Sequence, residues 1–297
     1  MREDPSKSVG DHMRTSKLLA AAALASLLTA GTANAGPVFL TGHDPDFHAQ
    51  DSSHAANLLT AGISFALGGT ANFNDNVHKT LWVESFNTVT SGHRRGEAGL
   101  ISIGLTLGQD FDWVDAAGFA LADLSQYNAI GVASSFGGMF TSAELNAMIL
   151  RTADITAFIN AGGGLFASAE CDSGGACDAS NMAAPHGSMY GYLPVTVSSI
   201  SPSPPFFPTA FGTSLGLTFD DLQDPTHNSF GLIGGLTPVD LDSASPQHAT
   251  TLAGNVRIGG GGFIPTDEVP EPATIALLGA GLAGIASMRR RRKAGKN

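Results

Sequence analysis

The sequence predicts an α/β fold: a doubly wound, mostly parallel sheet with a β-rich closing segment. Three observations predict it. Short apolar runs recur without period-two alternation, which is the pattern of strands covered on both faces. Stretches with helical spacing separate these runs in the first half, as a parallel sheet requires. Loops rich in Gly, Ser and Pro then lead into residues 214–256, which read as β-rich.

The elements follow in order. Residues 37–42 (PVFLTG) form a short apolar run ending in Gly, the first strand. His54 to Leu67 is rich in Ala and Leu and reads as a helix. Thr80 to Glu84 (TLWVE) is the second strand, Leu100 to Leu105 (LISIGL) the third, and Tyr127 to Ser134 (YNAIGVAS) the fourth. Thr141 opens a helical pattern that runs to Asn160, with Glu144 as its capping-box partner. Its inner face holds Leu145, Met148, Ile149, Ile155, Phe158 and Ile159. Ala161 to Gly164 ends that helix, and Leu165 to Ala169 (LFASA) is the fifth strand. Residues 172–191 and 198–213 read as loops, and residues 258–268, with Gly259 to Gly262, as a flexible linker. No repeat of 20–50 residues is present.

Composition narrows the function classes. With 43% apolar residues the chain is not intrinsically disordered, and two cysteines do not make a disulfide-rich miniprotein. The formal charge of −11 excludes a nucleic-acid partner, which needs basic surface to displace counterions. That sum conceals a division. Residues 36–269 hold five Lys and Arg (Lys79, Arg94, Arg95, Arg151, Arg257) against 22 acids, a charge of −17. The remaining bases lie at the two ends.

Both ends read as addresses. Residues 1–12 are polar and read as an over-extended gene start. Residues 13–35 read as a signal peptide, with Arg14 and Lys17 before the apolar Leu18 to Leu28 and a small-x-small cleavage site at Ala33-Asn34-Ala35. Signal peptidase is the expected partner. At the other end, residues 269–297 begin Val269-Pro270-Glu271-Pro272, continue through the uncharged Ala273 to Met288, and finish on Arg289 to Lys293. This tail resembles a PEP-CTERM sorting signal. The resemblance implies a Gram-negative source and a transmembrane helix that holds the exported protein in the inner membrane. It also implies an exosortase that recognises Pro270, Glu271 and Pro272 and cuts near them. The destination so implied is the cell surface or the extracellular matrix.

Within the body, residues 36–257, a stretch of about residues 37–230 resembles the class I glutamine amidotransferase-like superfamily, including its trehalose-utilisation-type branch. The matching pieces are the helix into the GGGL turn, the strand LFASA, a reactive-type residue after it, and a late His. The resemblance implies a flavodoxin-like sheet, a nucleophilic Cys at the elbow (Cys171) and a base (His227), with Glu170 beside them. Two features oppose glutaminase chemistry. Glu170 and Asp172 flank Cys171, and adjacent negative charge raises a thiol pKa. Cys171 and Cys177 also lie in CDSGGAC, whose spacing in an exported protein favours a local disulfide over a free nucleophile or metal ligation.

Open α/β sheets bind ligands at the carboxyl ends of their strands. There this sequence offers His43, Asp44, Asp46 and His48 after the first strand, Glu84 and Ser85 after the second, and Ser134 and Ser135 after the fourth. His43, Asp44, Asp46, His48, Ser134 and Ser135 are candidate ligand-binding residues, for a glycan among other ligands. Imidazole and carboxylate in HDPDFH also make a divalent metal ion a candidate cofactor, held by His43, Asp46 and His227. Two functions are therefore expected in competition: a ligand-binding domain without glutaminase activity, and a hydrolase using Cys171 with His227 or a metal-activated water.

Overall fold

The computed structural model describes residues 35–69, 79–85, 96–135, 139–168, 190–197, 199–223 and 226–265. Residues Asn34–Glu268 form one compact unit. The signal peptide up to Asn34, Glu170, Cys171, Cys177 and the sorting tail lie outside the described residues. Among the described residues no helix is long and apolar enough to cross a membrane.

The described residues form a mixed α/β fold around a sheet of 11 strands. Its parallel part contains β1 (Gly36–Thr41), β2 (Thr80–Val83), β3 (Phe111–Val114), β4 (Ala129–Val132) and β5 (Gly164–Ser168), in the order β3-β2-β4-β5-β1. Helices α1 (Pro45–His48), α2 (Ser53–Ala66), α3 (Gly96–Ser102), α4 (Ala116–Leu121), α5 (Ser142–Leu150) and α6 (Thr152–Asn160) connect these strands. The antiparallel part contains β6 (Ser199–Ile200), β7 (Phe207–Pro208), β8 (Ser229–Phe230), β9 (Thr237–Leu241), β10 (Ala249–Gly259) and β11 (Gly262–Pro265), with α7 (Ala210–Ser214) among them. The long β10 joins the two parts, because it pairs antiparallel with β1 along Gly36 to Thr41.

Strands β1, β2, β4 and β5 are buried on both faces, which explains their unbroken apolar runs. The chain travels outward from β1 to β2 and β3, then back to β4 and β5. Right-handed crossovers put helices of opposite travel on opposite faces, α2 and α3 on one, α5 and α6 on the other. On the α2 face the rings of Trp82 and Phe166 stack 6.2 Å apart. Gly131 lies between them in register, and a Cβ there would meet the Trp82 ring at 2.4 Å. Glycine is thus what lets two large rings close over β4. On the α6 side, Asn160 bonds both backbone groups of Ile258, at 2.9 and 2.7 Å. Its amide extends the ladder beyond the start of β1.

Several expectations need correction. The flavodoxin-like order 2-1-3-4-5 is not found among the described residues. Here β1 borders β5 and β10, so the first crossover skips two strands. Leu100 to Leu105 is not a strand: residues up to Ser102 belong to α3, and the chain turns at Gly104. A short apolar run does not distinguish strand from helix by periodicity alone. The third strand is instead β3 (FDWV), which carries Asp112 and is only partly buried beyond Phe111. The helical pattern from Thr141 divides at Arg151, whose guanidinium donates to the carbonyls of Phe119 and Ala122 at 2.7 and 2.8 Å. Turning Arg151 to cap the end of α4 breaks the longer helix into α5 and α6. Residues 258–265 are not a flexible linker. They are the end of β10 and all of β11, a hairpin whose Gly260-Gly261 turn has φ of 61° and 81°. Positive φ at both positions is what a tight hairpin demands and Gly-Gly supplies.

Candidate functional site

The chain leaves β2 toward β3 and leaves the neighbouring β4 toward β5. Neighbouring strands with exits in opposite directions define the switch point where open α/β sheets hold ligands. Glu84 and Ser85 follow β2 here, and Ser134 and Ser135 follow β4. The segment His43 to His48 reaches the same edge from β1.

Asp46 is the residue that segment places best. It is fully buried on α1, and its Oδ2 accepts from the backbone N–H of Ser134 at 2.9 Å and from the Ser134 hydroxyl at 3.1 Å. Its Oδ1 is buried and has no hydrogen-bond partner. Burial, followed by repulsion from Asp44, pushes its pKa up to about 7 against the opposing hydrogen bonds from Ser134. Asp44 is also fully buried and pairs with His48 at 3.2 Å, one helical turn along α1. Glu84 accepts from Trp82 Nε1 at 2.8 Å and from the Glu97 backbone N–H at 3.0 Å, which ties the end of β2 to α3. Burial raises the pKa of Glu97 itself. Glu144 braces the same edge. It completes the capping box with Thr141, accepts from Ser85 Oγ at 2.6 Å, and accepts from the Ala116 backbone N–H at 3.1 Å.

His43 is not part of this cluster. Its Nε2 bonds Asp240 Oδ2 at 2.9 Å and its Nδ1 bonds Thr226 Oγ1 at 2.6 Å. Asp240 also accepts from the Thr251 backbone N–H at 2.6 Å, and Thr251 Oγ1 lies 3.0 Å from Thr41 Oγ1. These bonds join β1, β9 and β10. His227 is held beside the exit of β1 by its backbone N–H, which donates to Gly42 at 3.0 Å.

The structure thus brings Asp46 to Ser134 and Asp44 to His48, with Ser135 buried next in the chain. It does not assemble His43, Asp46 and His227 as a metal site. Both ring nitrogens of His43 are already engaged, and among the described residues no group of three or more His, Cys, Asp or Glu could hold an ion. Asp240 and Thr226 were missed from sequence. The available signal was the pattern VDLD, with Asp240 and Asp242 at alternate positions of a strand run. Both are fully buried, and Asp242 accepts from Ser229 Oγ at 3.2 Å and pairs with His248 at 3.2 Å.

No curated protein and no solved structure matches the chain. The amidotransferase-like reading of the body therefore has no support beyond its own motifs. Residues 268–292 match the family described as the PEP-CTERM protein-sorting motif, which makes exosortase the processing partner and implies export with C-terminal, membrane-anchored sorting.

Proposed function

We propose that this exported protein finishes at the cell surface or in the extracellular matrix. Its α/β domain there binds a hydroxyl-rich ligand, an extracellular glycan, at the carboxyl ends of β2 and β4, without glutaminase chemistry. The observation that carries the reading is the Asp46 carboxyl group. A fully buried carboxyl oxygen with no partner, next to a strand-end serine at the switch point, is a polar group left for a ligand to satisfy. Hydroxyl donors suit it better than anions, because Asp44 and the overall acidity of residues 36–269 repel negative charge.

The test is calorimetric binding of neutral and acidic bacterial polysaccharides to the purified full chain and to Asp46→Asn. Loss of an acceptor for a ligand hydroxyl is expected to weaken binding about 10-fold or more. Equal binding by Asp46→Asn, or no binding to any polysaccharide, would sink the reading. Replacing Pro270, Glu271 and Pro272 with alanine tests the delivery half separately. The uncut chain is then expected to stay in the inner-membrane fraction.

A further inference from the structure

We propose that Thr226, His43 and Asp240 form a nucleophile, base and orienting acid that hydrolyse a carboxylic ester. The geometry is that of an activated hydroxyl: nucleophile and base within hydrogen-bond reach, and the base oriented by a third group. Thr226 Oγ1 lies 2.6 Å from His43 Nδ1, and His43 Nε2 lies 2.9 Å from Asp240 Oδ2.

The surroundings fix the direction of each bond. Asp240 accepts at both oxygens, from His43 at Oδ2 and from the Thr251 backbone N–H at Oδ1. An ionised carboxylate only accepts, so the imidazole proton sits on Nε2. Nδ1 then presents its lone pair to Thr226, and the threonine hydroxyl donates. This is the protonation state a general base must have before attack. The ring cannot turn away: it is fully buried, has Phe206 edge-on at 5.4 Å, and its backbone N–H donates to Thr41 Oγ1 at 3.2 Å. Thr226 itself is only partly buried, at the carboxyl end of β1. The nucleophile is partly exposed, while the base behind it is buried.

The chemistry balances with water as the only co-reactant. Thr226 Oγ1 bonds to the ester carbonyl carbon as its proton passes to His43 Nδ1. The ester C–O bond breaks, and the leaving alkoxide takes that proton from His43 and departs as an alcohol. Water, deprotonated by the same nitrogen, then attacks the acyl-threonine and releases a carboxylic acid, and the proton returns to Thr226. Asp240 stabilises the imidazolium at each stage. None of Asp46, Ser134 or Glu84 takes part, so this activity stands or falls independently of the binding reading.

A structural clasp alone would not need imidazole, because a glutamine amide at position 43 can donate to Asp240 and accept from Thr226 while supplying no base. That substitution gives the test. The purified full chain would be assayed with p-nitrophenyl acetate and treated with a fluorophosphonate probe, the adduct being mapped by peptide mass spectrometry. The expected adduct is on Thr226. Thr226→Ser should keep it. Thr226→Ala should abolish it. His43→Gln should lower both labelling and hydrolysis about 100-fold or more, and Asp240→Asn comparably, as in other triads. An adduct on another residue, labelling of Thr226 unchanged by His43→Gln, or hydrolysis equal in wild type and Thr226→Ala would each overturn the proposal. Melting curves of Thr226→Ser and His43→Gln confirm that the compared chains are folded.

Discussion

His43 and Asp46 leave the same strand three residues apart, both fully buried, yet their surroundings differ in kind. Around His43 the polar groups are matched. Both ring nitrogens are bonded, both Asp240 oxygens are used, and the hydroxyls of Thr41 and Thr251 meet each other. Around Asp46 two buried carboxyl groups are crowded, one oxygen has no partner, and the pKa is driven up to about 7. A matched network rigidifies the joint between the parallel and antiparallel parts of the sheet, whereas a half-satisfied one costs stability that the fold must recover elsewhere. Proteins tolerate such a cost mainly where a ligand or a reaction uses it. The contrast sets a satisfied cluster, which braces the joint and holds the proposed triad in place, against one with an acceptor left for a ligand.

The largest expected effect is on the matched side. Asp240→Ala strands both the His43 imidazole and the Thr251 N–H in a buried setting. The expected cost is about 2–5 kcal/mol at any pH where the protein folds. For a domain of this size that lowers the melting temperature by on the order of 10 °C, readable by circular dichroism. A shift of only a degree or two would mean that the network is not the brace described here.

Asp46→Asn should go the other way. The folded pKa of about 7 lies well above the ordinary aspartate value of 3.8, so the fold favours the neutral carboxyl group. That contribution is complete below about pH 4, declines as pH rises toward 7, and is gone above it. The gap is worth at most about 4 kcal/mol. The asparagine chain should match wild type near pH 4 and exceed it in denaturant midpoint near pH 7.5. Parallel stability profiles from pH 4 to 7.5 would erase the contrast between the clusters. Paired with the binding test, a variant that gains stability and loses ligand would show the trade expected of a functional site.

Much of this was legible in the sequence, and the failures are physical. Strands β1, β2, β4 and β5 announced themselves because burial on both faces leaves uninterrupted apolar runs. The box of Thr141 and Glu144 is a local device, readable from spacing. The strand β3 was hidden by Asp112, which pairs with Lys79 at 2.7 Å and accepts from Tyr127 Oη at 2.9 Å, so a charge sits within a four-residue strand. Asp46 and Ser134 do follow the ends of β1 and β4, but no spacing encodes a bond across 88 positions. The partner of His43 lies 197 positions away, on a strand that the reading placed only within a β-rich segment. Chain-local chemistry shows in sequence, and chemistry made by the return of β9 and β10 does not.

The smallest prediction probes the Asp46 cluster from its other end. Ser134→Ala removes the hydroxyl bond to Asp46 at 3.1 Å and keeps the backbone bond at 2.9 Å. Hydrogen bonds to an ionised group are worth more than those to a neutral one, so the cost should depend on pH. Near pH 8, with Asp46 ionised, about 1–2 kcal/mol should be lost; near pH 4 the loss should be smaller. Because the hydroxyl bond holds the Asp46 pKa down, its removal should also move the titration of Asp46 above 7, visible in the carboxyl carbon chemical shift. A double-mutant cycle with Asp46→Asn separates this from packing. If Ser134→Ala costs the same in both backgrounds at both pH values, the serine is filling space rather than holding the acid. The crowding at Asp46 would then belong to α1 alone.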